Sequence, residues 1–491
     1  MKIGKNQYLL TPLAVISPAR VEASLSFTFE GYEVYLGDNC CHTIVRRQNR
    51  AALLIGYIVS ASESTVSNEK LLECFLDGVD DDANNVAEST SYWGGRWCLV
   101  FSTKKGLHVV TDTCGLKQVF YYTYLEKGNI TIASQSRYIS EIYCLPINKD
   151  AQSYIEAARG ADKEFSWPLD GTLYDRVNRL LPNHILSESE KSPKRFAFYK
   201  REANDVADKM SGLLKRQMHN IQKVQKSAVT VTAGWDSRLV LSAADRTDKD
   251  LVLVTLQYLN GKDDNIDIKT AREICKEIGL EHKLVCCPAI SPIFKGRYYE
   301  HSETPHDYWI QMSQAIEEAD LGDYIWIKGS CNEILRKSSG VLKNWQVTVK
   351  LLCKLYDIHY DDFSYTIIKN WLKEAEPFCK QNRIDLLDLF YWEHRCGSWL
   401  AECLNEADVV GEMFSPFNCR AYIDFGLNVP NKFRVSPDYH LFKEILEKSA
   451  FCLNTPINRG RYSSFVSKMK CMLKNRQPLL YGLILNSTTL R

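Results

Sequence analysis

The sequence predicts an α/β protein: a doubly wound parallel sheet with an α-helical C-terminal part, preceded by a β-rich α+β region. Three observations predict it. Between Ser227 and Cys286, three strand-like runs alternate with two helical segments, the pattern of a parallel sheet with right-handed helical crossovers. Up to about residue 195, short alternating runs separated by turn residues dominate, as in antiparallel sheets. From Trp371 onward the apolar residues fall at helical spacing.

At 491 residues the chain has room for two or three domains, each with its own core. Apolar and charged fractions of 45% and 25% are those of globular proteins. A net charge of +1 gives no electrostatic reason to expect nucleic acid or an anionic membrane as partner. The 17 cysteines form no Cys-x-x-Cys, and the pairs Cys40-Cys41 and Cys286-Cys287 suit neither a zinc site nor a disulfide framework. They read as reduced thiols, mostly buried as small hydrophobes. The N-terminal apolar run is broken by Pro12, too poor for a signal peptide, and no segment is long enough to span a bilayer. The expected location is cytoplasmic.

In the first region, strands are expected at Ser24–Phe29, Ala52–Val59, Trp97–Phe101, Leu107–Thr111, Val119–Tyr124 and Ile130–Ala133, with helices at Asn68–Leu76 and Ala151–Ala158. Lys200 to Val224 is charged and helical. Ser227 to Arg246 then begins as an uncharged strand, breaks at Ala233-Gly234, and resumes with helical spacing from Leu239 to Ala244. Such a strand-turn-helix aims backbone N–H groups and the positive end of a helix dipole at one point, a seat for phosphate. Asp236 and Ser237 stand where a carboxylate for Mg²⁺ and a hydroxyl for a phosphate oxygen would be added. The seat is neither a P-loop, which needs Lys and Ser or Thr after its last Gly, nor a three-glycine dinucleotide loop.

The second strand runs from Asp250 to Gln257. Ala271, Ile274, Cys275 and Ile278 follow at i, i+3, i+4, i+7 on one helix face, Gly279 stops that helix, and Lys283–Cys286 opens a third strand. The acidic run Asp263 to Asp267 reads as a solvated helix cap. Tyr324–Ile327 is another strand, ending in Lys328-Gly329-Ser330-Cys331-Asn332-Glu333, where Asn332 and Glu333 also suit a helix start. In the helical part, Glu393 and Arg395 are expected to form a polar face or a local ion pair.

Thr232-Ala233-Gly234-Trp235-Asp236-Ser237 resembles the pyrophosphate loop of asparagine synthetases and N-type ATP pyrophosphatases, usually Ser-Gly-Gly-x-Asp-Ser, with Thr for Ser and Ala for the first Gly. Gly329 to Glu333 resembles the same family's Ser-Gly-Glu-Gly-(Ser/Ala)-Asp-Glu loop, one residue shorter, with Gly329 and Glu333 matching and Asn332 near the Asp. Phe414 to Arg420 and Lys443 to Glu447 resemble two further family segments. Arg461, with Arg459 beside it, stands where the family has Arg-x-Lys. Upstream, Gly94 to Val100, Asp112 to Lys117, Phe120 to Tyr122, Ala133-Ser134 and Leu180 to His184 are similar to the glutamine-amidotransferase domain that precedes the synthetase domain.

The resemblance implies an Ntn-like amidotransferase domain at 1–195 and an adenine-nucleotide-α-hydrolase-like synthetase domain at 196–491. It implies ATP and Mg²⁺ as cofactors, with Thr232, Ala233, Gly234, Asp236, Ser237, Thr255 and Gly329 around the nucleotide. Asp236 and Glu333 would hold the metal, and Glu333 and Arg461 would be catalytic. Glutaminase chemistry in the family needs an N-terminal Cys whose α-amine acts as base. Residue 2 here is Lys and the first cysteine is Cys40, so glutaminase activity is expected to be absent and Cys40 to be a structural thiol. The implied reaction is adenylation of a small-molecule, sugar or peptide carboxylate, followed by attack of ammonia, from solution or a separate source, or of a substrate amine. A nucleotide-binding pseudoenzyme and a true asparagine synthetase are the alternatives.

Overall fold

The computed structural model describes residues 1–13, 15, 20–62, 67–124, 129–160, 165–190, 192–258, 265–337, 340–457 and 477–487. The N-terminal strands are β1 Tyr8–Pro12, β2 Leu25–Phe29, β3 Tyr32–Leu36, β4 His42–Arg47, β5 Arg50–Ser60, β6 Trp93–Thr103, β7 Gly106–Thr111, β8 Phe120–Thr123, β9 Ile130–Ala133, β10 Asn178–Arg179, β11 His184–Ser187 and β12 Lys194–Arg195. They form two six-stranded sheets, ordered β10-β8-β9-β1-β3-β2 and β12-β11-β7-β6-β5-β4. Every neighbouring pair is antiparallel.

The period-two rule decides how the sheets pack. Along β5, Leu53 and Ile55 face one way and join Tyr8, Val34 and Ile132 of the other sheet in a shared core. Ala52 and Leu54 face the opposite way and meet Leu72, Phe75 and Leu76 of helix α1, Asn68–Gly78. Three short helices complete this region: α2 Val86–Ser89, α3 Ser136–Tyr143 and α4 Lys149–Gly160.

The expected strands and helices of the first region are all present, within a few residues at each end. β1, β3 and β4 were not expected. β1 is wholly buried and stops on Pro12, which hides it as a broken apolar run. β4 is half exposed along its length, so it shows no alternation.

The second region opens with helix α5, Val206–Gln222, capped by the Asp205 side chain. Strand β13 Lys226–Thr230, helix α6 Trp235–Ala243, strand β14 Leu251–Gln257, helix α7 Ile266–Ile278 and strand β15 His282–Cys286 follow in turn. Helices α8 Pro292–His301 and α9 Asp307–Glu318 lead to β16 Tyr324–Ile327. With β17 at Met413–Phe414, the sheet runs β15-β14-β13-β16-β17, parallel throughout. From β13 the chain builds outward on one side and then returns to build on the other. That reversal opens a crevice at the carboxyl ends of β13 and β16, the usual place for a ligand in such sheets.

β17, Met413–Phe414, corrects the expectation of a purely helical C-terminal part: two residues are too few to show a period, yet they pair with Trp326 and Ile327. Around it lie helices Val349–Leu355, Asp362–Asn382, Leu386–Phe390, Ala401–Ala407, Arg420–Asn428, His440–Lys448 and Pro478–Ser487, and a π-helical stretch, Tyr391–Leu400. No helix among the described residues is long and apolar enough to cross a membrane.

Buried ion pairs join the two regions. Arg96 of β6 grips Asp408 through both carboxylate oxygens, at 2.7 and 3.0 Å. Lys117 reaches Glu412 at 2.8 Å, and Arg179 reaches Glu402 at 3.1 Å. Glu393, expected to form a polar face or a local ion pair with Arg395, is fully buried. It takes a bidentate contact from Arg195, at 3.0 and 2.8 Å, and a bond from Trp371 at 2.7 Å, while Arg395 lies over the Trp399 ring. Burial favours the planar fork of arginine for such pairs.

Candidate functional site

The seat at the head of α6 is a local product of sequence. β13 ends at Thr230, and Val229 and Val231 on either side of that end are fully buried. Gly234 then caps α6 in extended conformation, with no side-chain bond to the first turn. Ser237 knits the loop: its Oγ lies 3.2 Å from the Thr232 amide and 3.1 Å from the Thr232 Oγ1. Trp235 packs edge-on against Tyr439 and tilted against Phe442, so the variable position of the motif serves as an anchor. The N–H groups of a helix's first turn have no intrahelical acceptors, and the dipole adds partial positive charge there. The amide of Ala233 already holds an anion: it donates to the Asp267 carboxylate at 2.8 Å. Asn265 caps α7, as a solvated cap would, but Asp267 turns inward.

Asp236 lies where β16 delivers its turn. Gly329 comes so close that a Cβ there would sit 2.8 Å from the Asp236 Cβ and 3.1 Å from the Ser237 amide nitrogen. Asn332 donates to one Asp236 oxygen at 2.7 Å, and Tyr422 donates to the Asn332 carbonyl at 3.0 Å. Arg336 approaches the other Asp236 oxygen at 3.1 Å and Glu333 at 3.3 Å. Burial, and then the repulsion of Asp236, raise the Glu333 carboxyl to about 7 against the pull of Arg336. Burial works against the charge on Arg336, and the two carboxylates overcome it.

The structure therefore brings Thr232, Ala233, Gly234, Asp236, Ser237, Gly329 and Glu333 together. Thr255 lies on the neighbouring strand, fully engaged: its hydroxyl donates to the Val231 carbonyl at 2.7 Å and meets His282 Nε2 at 2.8 Å. Arg459 and Arg461 lie outside the described residues. The chain just before them is held against α6, where Arg238 donates to the Thr455 and Pro456 carbonyls at 2.6 and 2.8 Å.

Asp236 and Glu333 are oxygen donors of the kind Mg²⁺ takes. As arranged, however, both face the Arg336 guanidinium, and Asn332 fills the remaining Asp236 oxygen. The two carboxylates do not fit a metal held between them, because a resident cation already bridges them.

Two residues were missed from sequence. Arg336 follows Glu333 at i+3, a spacing that brings side chains together on one turn; that signal was legible. Lys328 follows β16 with its Nζ 4.6 Å above the Trp309 ring and 3.3 Å from the Met312 sulfur. Burial lowers its pKa to about 8. Nothing in the local sequence announces that environment. Cys40 is a buried thiol pushed up to about 12 by burial, in keeping with a structural role. Two cavities, of about 500 and 410 Å³, lie away from this seat, around Tyr57 and Asn220 and around Asp170 and Arg176.

No protein-family model matches the chain, and no curated protein matches it. Among solved structures it is similar to a glutamine-dependent NAD+ synthetase from Acinetobacter baumannii in complex with ADP, at 14% identity and a TM-score of 0.20, over 37% of this chain and 41% of that one. It is also similar to a glutamine phosphoribosylpyrophosphate amidotransferase from B. subtilis complexed with ADP and GMP, at 10% identity and a TM-score of 0.24, over 57% and 60%. An NH3-dependent NAD synthetase from Campylobacter jejuni aligns at 15% identity and a TM-score of 0.21, over 36% and 96%. The chain thus spans less than two thirds of the first two proteins' length. Likenesses at these scores carry no conclusion about this chain.

Proposed function

We propose that the protein is an ATP-dependent ligase that adenylates a carboxylate, releasing pyrophosphate, and passes the acyl group to ammonia or an amine. The observation that supports this most is the meeting of Asp236, at the positive end of α6, with Asn332, Glu333 and Arg336 from the turn after β16. Asp236, Asn332 and Glu333 belong to two of the segments that resemble asparagine synthetases.

A carboxylate is a poor electrophile, and exchanging its oxygen for an AMP ester makes it a good one. The cost lies in a phosphoryl-transfer state crowded with negative charge, met by positioning and electrostatics. In this reading the first-turn amides of α6 hold the pyrophosphate and the phosphates displace Asp267 from Ala233. Arg336 supplies a fixed cation, and Lys328 and Arg461 supply others. Glu333, near 7, is poised to take the proton that an attacking amine must lose. No glutaminase step is assigned to the N-terminal region, so the nitrogen comes from solution, from a partner, or from the substrate.

A second reading, a nucleotide-binding protein without turnover, is favoured by one observation: both Asp236 oxygens are already engaged. The experiment supplies ATP as its Mg²⁺ salt with a panel of amino, sugar and peptide carboxylates, and follows AMP and pyrophosphate. Release that vanishes in Asp236→Ala supports the ligase. Release unchanged in Asp236→Ala overturns the site. ATP binding without release under any carboxylate favours the second reading.

A further inference from the structure

Cys114, Cys331 and Cys396 stand far apart in the sequence, yet their sulfur atoms lie within 4.8 Å of one another. Each is essentially inaccessible, at 0, 1 and 1% exposure, and each is a free thiol. Cys114 comes from the buried turn after β7, Cys331 from the head of the turn carrying Asn332 and Glu333, and Cys396 from the π-helical stretch. We infer that these three cysteines form a zinc site that fastens the N-terminal sheets, the Glu333 turn and the helical part at one point.

Four features of the backbone support a built site. The Cys114 amide is fixed by Asn418, which accepts from it at 2.8 Å and donates to Asp112 at 2.9 Å. Cys331 sits at φ 75°, a left-handed conformation that non-glycine residues hold only when their surroundings insist. Cys396 lies in a π-helix, a rare form that shifts side chains off the α-helical register and recurs at functional sites. Gly397 beside it is obligatory for approach, since a Cβ there would fall 2.2 Å from Pro182 and 3.6 Å from the Cys114 carbonyl oxygen.

The donor chemistry selects the ion. An all-sulfur set rejects Mg²⁺ and Ca²⁺, which take oxygen, and suits a soft or borderline cation. Zinc–sulfur bonds of about 2.3 Å put tetrahedral thiolates about 3.8 Å apart, within the span seen here. Each thiol loses its proton to solvent as its bond to zinc forms, and three protein ligands leave a fourth position open. The expectation that the adjacent cysteine pairs do not suit zinc rested on local spacing, which cannot detect ligands drawn from three distant segments.

The test is zinc content by mass spectrometry on full-length protein made in zinc-supplemented medium, with release followed by a colorimetric chelator on mercurial titration. About one zinc per chain is expected, with Cys114→Ser and Cys396→Ser each losing most of it and Cys452→Ser, at an exposed thiol, keeping it. Should the serine variants fail to fold, stripped wild type is titrated with Co²⁺, where a strong thiolate-to-cobalt charge-transfer band is expected. Wild type without zinc and without that band, or zinc retained in Cys114→Ser, overturns the proposal and leaves three ordinary buried thiols.

Discussion

The junction between the two regions and the seat at the head of α6 are both built from charges, in opposite ways. At the junction Arg96 and Asp408 are 1 and 0% exposed and paired through two bonds. At the seat Asp236, Glu333 and Arg336 keep 14, 27 and 16% of their surface open, with one guanidinium shared by two carboxylates. A buried pair is costly to break because the survivor is stranded without water. A half-open cluster re-solvates when a member is lost. The junction therefore reads as structure, and the seat as the place where, on the proposed function, a ligand binds.

Four experiments press on that contrast. Arg96→Met leaves Asp408 buried and unpaired, and should cost about 3–5 kcal/mol of stability in urea unfolding; a loss under about 1 kcal/mol would mean that the junction tolerates charge as the seat does. Asp236→Asn should lower carboxylate-dependent pyrophosphate release by about 100-fold while moving the urea midpoint little. A collapse in stability there would make the seat structural. Gly329→Ala forces the β16 turn off α6, costing about 1–3 kcal/mol as an overpacked contact does, and should weaken ATP binding measured by calorimetry. Unchanged stability and binding would show that the close approach is dispensable.

The smallest effect concerns pH. His301 is buried between Gln7 and the Asn405 carbonyl, and burial lowers its pKa to about 4. Below the unfolded value of 6.5 the unfolded chain binds the proton and the folded one does not, so stability present above 6.5 is lost as pH falls towards 4. Between pH 6 and 5 that amounts to about 1 kcal/mol. His301→Gln should flatten that part of the stability curve, and a slope equal to wild type would exclude His301 as its source.

Much of this was legible in the sequence because it is local. The strand-turn-helix at Ser227–Arg246 is written in β-branched residues, a small-residue break and helical spacing, all within one segment. The turn at Gly329–Glu333 was legible for the same reason. What escaped depends on distant segments. Lys328 looks like any lysine after a strand until Trp309 and Met312 are seen around it. Glu393 was read against its neighbour Arg395 because its bidentate partner, Arg195, lies on a strand of the other region. The reading of Asp267 as a cap was sound about the helix and blind to the Ala233 amide across the crevice.

The setting of Lys328 has a chemical consequence of its own. With a pKa of about 8, roughly a tenth of its amine is uncharged at pH 7 and half at pH 8, while ordinary lysines near 10.4 stay almost wholly protonated. The free amine is a nucleophile, so limiting amounts of an aldehyde with borohydride should mark this lysine ahead of its exposed neighbours. The ratio of label at Lys328 with and without nucleotide then reports whether a ligand covers the carboxyl end of β16.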